Sequence, residues 1–168
     1  MNPETRLFAY GTLKQGSPMH DQLCRGVRSV LPARIWGRLY ELPTGCPALH
    51  LPGAAMLAGA TLAADEDHQR LATLLGTPAP ECSREGWRPV QGQLITLADY
   101  RTAWATLDAW EDANPDRPLL FRRVIVRVER EHGVPVTAWT YIVPRLPEGS
   151  RELVTGVWPV PSPLLMAE

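Results

Sequence analysis

Lysine occurs once in the 168 residues, at Lys14; every other basic side chain is arginine. Charge of either sign is also short of an excess, since 17 basic and 18 acidic residues leave a net charge of −1. That balance gives no electrostatic footprint for nucleic acid or for an anionic membrane surface. Long apolar runs are missing as well, and none reaches the ~20 residues of a membrane-spanning helix. The stretch before Leu7 is short and polar and has no signal-peptide pattern, so the expected location is the cytoplasm. The three cysteines, Cys24, Cys46 and Cys82, are odd in number and far apart, which argues against a disulfide framework. Nor do they form a metal-ligand spacing with His20, His50, His68 or His132. There is no long linker, charge run or repeat, so residues 1–168 are expected to form a single domain. At this length about 70% of the unfolded surface is buried on folding, enough for a sizeable core.

What is present begins with Leu7-Phe8-Ala9-Tyr10-Gly11-Thr12-Leu13-Lys14. The apolar run reads as a first strand, and Gly11 permits a sharp turn or a close approach to a ligand. Exposed N–H groups at such a turn can bind a carboxylate or a carbonyl oxygen. Ser17 and Pro18 suit the N-cap and first position of a short helix, Met19 to Cys24. Lys14 and His20 read as polar residues on a rim. Val27 to Leu42 has strand periodicity, and Pro43-Thr44-Gly45 is a turn. Cys46 follows it; a catalytic thiol needs an oriented base, and no local motif offers one.

Pro52 to Pro89 reads as an insertion, at about 52–89, into a compact domain. It holds a helix through Leu71, Leu74 and Leu75, capped by Asp65 and stopped by Gly76 and Pro78. Val90 to Leu97 is a further strand. In the helix Asp99 to Glu111, the residues Tyr100, Trp104 and Leu107 share one face. Four residues on, that face arrives at Glu111, while Asp108 and Asp112 are expected to point to solvent. Glu111 either ends the apolar stripe, where desolvation makes a carboxylate a better base, or lies just past it and reaches water. Leu119 to Glu129 alternates, with Val124, Val126 and Val128 opposite Arg123, Ile125 and Arg127. Val134 to Val143 completes an antiparallel hairpin. From about residue 144 the chain is a proline-rich tail, with Trp158 packing it back onto the body.

Taken in order, these pieces resemble the γ-glutamylcyclotransferase-like family, in the branch of AIG2-like proteins and γ-glutamylamine cyclotransferase. Phe8 to Lys14 resembles its opening motif. Gly37-Arg38-Leu39-Tyr40 with Pro47-Ala48-Leu49, and Val90 to Leu94, resemble its second and third blocks. Leu107-Asp108-Ala109-Trp110-Glu111 followed by Leu120 to Val126 resembles the block that carries the family's catalytic glutamate. Ala138 to Val143 and Gly156-Val157-Trp158 resemble its closing strand and motif.

The resemblance implies an α+β fold: a small, mixed, partly closed β-barrel with flanking helices and a cavity at one mouth. It implies cyclisation of a γ-glutamyl amide to 5-oxoproline with release of an amine, without metal or organic cofactor. By the same resemblance Glu111 is the general acid/base, and Tyr10, Gly11, Thr12, Leu13 and Tyr141 bind the small-molecule substrate. Phe121 departs from the family, where many members carry tyrosine. Two alternatives stay open: a non-catalytic ligand-binding or interaction module on the same fold, and a thiol amidohydrolase that uses Cys46.

Overall fold

The computed structural model describes residues 4–75, 77, 84–116 and 120–159. Gly76 and Pro78, expected to stop a helix, lie outside the described residues, as do Cys82, Leu119 and the tail beyond Pro159. Five strands form the frame: β1 (Thr5–Ala9), β2 (Val27–Glu41), β5 (Arg88–Leu97), β6 (Arg122–Arg130) and β7 (Val136–Ile142). They pair in the order β2-β5-β1-β7-β6. The circuit closes where Ala33 and Arg34 of β2 meet Arg130 and Glu129 of β6. The expected small β-barrel is present, and this pairing closes it. Its strands are mixed, because β1 runs parallel to β7 and antiparallel to β5.

Short strands extend this frame. β3 (Pro47–His50) and β8 (Arg151–Glu152) pair with the far end of the long β2, and β4 (Ala58–Gly59) pairs with β6. Among the described residues three α-helices accompany them: α1 (His20–Leu23), α2 (Ala64–Leu74) and α3 (Tyr100–Glu111). Asp99 caps α3 by accepting from the Arg101 N–H. Neither other helix has the expected side-chain cap. α1 starts after Met19 rather than at Ser17, and α2 follows Ala63 rather than Asp65. The Asp65 carboxylate instead accepts hydrogen bonds from Tyr100 and Arg101 across to α3.

The two-residue period of the strands divides the core into two layers. Phe8, Tyr10, Ile35, Leu94, Val124, Val126, Val128, Ala138 and Ile142 pack together in one layer. Leu7, Ala9, Ile95, Ile125, Trp139 and Tyr141 emerge on the opposite face. There they are covered by the α3 stripe, in which Tyr100, Trp104 and Leu107 are all buried. Burying side chains of this size contributes roughly 1.5–3 kcal/mol each. Trp158 is half-buried against the first layer, so the end of the described chain packs back onto the barrel.

Close backbone approach sets one requirement on β5. A Cβ added to Gly92 lies 2.4 Å from the Ala9 carbonyl oxygen and 2.7 Å from the Phe8 ring. The Gly92→Ala variant is expected to lose about 1–3 kcal/mol in urea unfolding. Gly53→Ala, where a Cβ meets nothing within 4 Å, should change stability by no more than about 0.5 kcal/mol.

Candidate active site

β1 delivers the chain to the barrel mouth, and the turn that follows is held from several sides. Tyr10 donates its hydroxyl to the Tyr141 carbonyl at 2.7 Å, tying the end of β1 to β7. Gly11 packs so closely on Pro47 that an added Cβ would sit 2.4 Å from the proline Cγ. A side chain there would push the turn off β3. The Lys14 N–H donates to the Gly11 carbonyl at 3.1 Å, closing the turn. The Lys14 ammonium donates to the Trp158 carbonyl. His20 is not a rim residue, since it is buried with Nδ1 2.8 Å from the Leu13 carbonyl oxygen. These contacts use the carbonyls of Gly11 and Leu13. The N–H groups of Gly11, Thr12 and Leu13 have no acceptor among the described residues.

A cavity of about 200 Å³ opens beside this turn. Its lining includes Tyr10, Gly11, Thr12, Leu13, Glu111 and Tyr141, the six residues that the resemblance implied as catalytic or substrate-binding. Phe8, Ala9, Cys46, Pro47, Trp110 and Phe121 complete the wall. Cys46 is thus at the cavity without an imidazole to activate it. His20 and His50 bond to backbone carbonyls, His68 stacks on Tyr100, and His132 is exposed in the hairpin turn.

Glu111 is the last residue of α3, and Asp112 turns the chain away in the left-handed conformation at φ 51°. Burial raises the Glu111 carboxyl from 4.5 to about 7, and the nearby Asp108 charge adds to the effect. Its place at the C-terminal end of a helix acts in the same direction, because the dipole there disfavours an anion. Burial also raises the Tyr10 and Tyr141 hydroxyls well above their usual range. The Glu111 charge contributes to both shifts, in keeping with its position opposite the turn.

Asp108 corrects the sequence expectation. It does not point to solvent with Asp112. Its carboxylate accepts from the Tyr141 hydroxyl at 2.7 Å and from Arg123 Nε at 2.8 Å and Nη2 at 3.0 Å. Arg123 is itself buried and makes a further 2.9 Å bond to the fully buried Asp67 of α2. Its guanidinium carbon lies 4.4 Å from the ring centres of both Trp104 and Trp139. Burial works against the Arg123 charge, but the Asp108 hydrogen bonds and the surrounding carboxylates more than offset it and hold the guanidinium protonated. Sequence reasoning missed this cluster, although one signal was available. Tyr100, Trp104 and Asp108 recur every four residues, and Asp108 is three residues from Glu111, so both acids share the inward face.

Comparison with known proteins adds a family match. Residues 7–75 and 66–160, as two overlapping segments, match the family model described as gamma-glutamyl cyclotransferase, AIG2-like. No curated protein sequence matches the chain. Among solved structures, YkqA from Bacillus subtilis is 17% identical and aligns over 92% of this chain with a TM-score of 0.54. The chain spans only 39% of that protein's length. The uropathogenic E. coli-specific protein c4763 is 15% identical, with 92% of both chains aligned and a TM-score of 0.50. An AIG2-like protein from Mus musculus is 20% identical over 83% of this chain and 77% of its own, at a TM-score of 0.49. At such identities the likeness is one of fold.

The raised Glu111 value has a consequence for stability. A carboxylate whose folded value exceeds its unfolded one stabilises the fold below about pH 4.5 and loses that contribution as pH rises through about 7. Each unit is worth about 1.4 kcal/mol. Glu111→Gln, which mimics the neutral form, is therefore expected to be more stable than the wild type at pH 8 by about 1–3 kcal/mol. The difference should vanish near pH 4.5, as read from melts across pH.

Proposed function

The chain belongs to the gamma-glutamyl cyclotransferase, AIG2-like family, and on that premise we propose that it is an enzyme converting a γ-glutamyl amide to 5-oxoproline, with Glu111 as general acid and base. The observation that carries this reading is the meeting of Glu111 and the Tyr10–Leu13 turn in one cavity. A base that titrates near 7 can both accept and return a proton at neutral pH.

In the proposed reaction the glutamyl group lies folded between the turn and Glu111. Glu111 takes a proton from the α-ammonium, and the freed amine attacks its own γ-carbonyl carbon. Because nucleophile and electrophile belong to one molecule, holding them in contact supplies much of the acceleration. The carbonyl oxygen gains negative charge as the ring closes, and the N–H groups of Gly11 to Leu13, without an acceptor among the described residues, are suited to stabilise it. Glu111 then gives its proton to the departing nitrogen as the amide C–N bond breaks. The second surplus proton of the ring nitrogen ends on the released amine, which leaves as an ammonium. Every group used belongs to this chain or to the substrate.

Phe121 lies on the wall without a hydroxyl. With Trp110, which is half exposed, it gives the mouth of the cavity an aromatic character that suits the leaving-amine side.

A panel of γ-glutamyl amides, assayed for 5-oxoproline, tests the proposal. At least one should be converted, and Glu111→Gln should lower kcat by about 10²–10⁴-fold while keeping the fold. Since Glu111 must be ionised to act as base, kcat/KM should fall about tenfold per unit below pH ~7. Conversion by Glu111→Gln at the wild-type rate would contradict the mechanism. Binding of panel members without any 5-oxoproline would favour the non-catalytic module instead.

A further inference from the structure

The buried cluster beneath α3 has a polarity that bears on the cavity it adjoins. Asp108 offers two oxygens, which accept from Arg123 and Tyr141. The Tyr141 hydroxyl has one proton, and that proton is given to Asp108. What remains on the Tyr141 oxygen is acceptor capacity alone. Tyr141 also lines the cavity, beside Glu111.

We propose that Asp108, anchored by Arg123 and Asp67, is a positioning residue that turns the Tyr141 oxygen into a dedicated acceptor for the α-ammonium of a γ-glutamyl substrate. This rests on the functional reading given above. The substrate ammonium then meets two acceptors, the Glu111 carboxylate and the Tyr141 oxygen, and no competing donor from Tyr141. The groups facing Glu111 are Asp108 from its own helix, Tyr10 at the turn and Tyr141 from β7. The Tyr10 hydroxyl proton is likewise committed, to the Tyr141 carbonyl.

The arrangement reaches into the segment read from sequence as an insertion. Asp67 of α2 is fully buried, and its other oxygen accepts from the N–H and hydroxyl of Thr61, each at 2.8 Å. Asp67 thus shares Arg123 Nη2 with Asp108, while Nε donates to Asp108. Without Asp67 the guanidinium would be free to draw Asp108 away from Tyr141. The segment therefore contributes to the order of the active site through charge, at a distance from the reacting atoms.

The test separates ammonium recognition from folding. An N-methyl γ-glutamyl amide and its des-amino counterpart, N-methylglutaramic acid, are titrated calorimetrically into Glu111→Gln, which suppresses turnover. The preference for the amine-bearing compound should fall about tenfold or more when Tyr141→Phe or Asp108→Asn is added, because a charge-assisted hydrogen bond is lost. Binding of the des-amino compound should be unchanged. An unchanged preference would overturn the inference. If Asp108→Asn does not fold, the wild-type hydroxyl proton decides. A slowly exchanging O–H resonance, absent in Tyr141→Phe, should persist when the des-amino compound is bound, and its absence would overturn the role of Asp108. Wild-type protein that makes no 5-oxoproline while the variants lose the preference would remove the catalytic reading alone. 5-Oxoproline formation with an unaltered preference would remove the inference alone.

Discussion

One guanidinium ties both α2 and α3 to the barrel. Arg123 projects from β6 between the indoles of Trp104 and Trp139 and meets carboxylates from both α2 and α3. A charge so placed is costly unless fully partnered, and removing one member of such a pair typically costs about 3–5 kcal/mol. That penalty constrains three elements at once. α2 must bring Asp67, α3 must bring Asp108, and β7 must bring Trp139 and Tyr141 into register with β6. The hairpin register provides this last condition, since Arg123 is opposite Tyr141.

The orientation of α3 that satisfies Arg123 also decides where the helix ends. Asp108 is drawn inward, so Glu111, one turn later on the same face, is brought to the barrel mouth rather than to solvent. The turn after β1 is held independently, by Pro47, Tyr10 and His20. The cavity is the gap left between these two constraints. Its chemistry follows from what each side offers: on the turn, backbone N–H groups without an acceptor among the described residues, and on the helix a carboxylate that is costly to ionise.

Much of this was legible in the sequence. The apolar run at β1, period-two alternation in β2 and β6, and the Tyr100–Trp104–Leu107 stripe identify strands, the covering helix and its buried face. Closure of the barrel was not legible, because it depends on Ala33 and Arg34 meeting Arg130 and Glu129 across almost a hundred residues. Glu111 could be marked as a candidate from helical spacing, whereas its environment depends on partners distant in the chain. Arg123 and Asp67 carried no sign of burial in the sequence, because isolated charges are usually exposed. Their burial arises from mutual pairing, which no local pattern encodes. His20 was misread for a similar reason: its partner is the carbonyl of Leu13, a backbone group that has no sequence signature.

The central claim is that the fold holds the Glu111 carboxyl in a site where it titrates near neutrality. Carbon-13 NMR of the glutamate side-chain carboxyls across pH, with the Glu111 signal assigned by its loss in Glu111→Gln, measures this without any assumed substrate. A midpoint near 7 is the result this account predicts. A midpoint near 4.5, the ordinary value for a solvated glutamate, would contradict it.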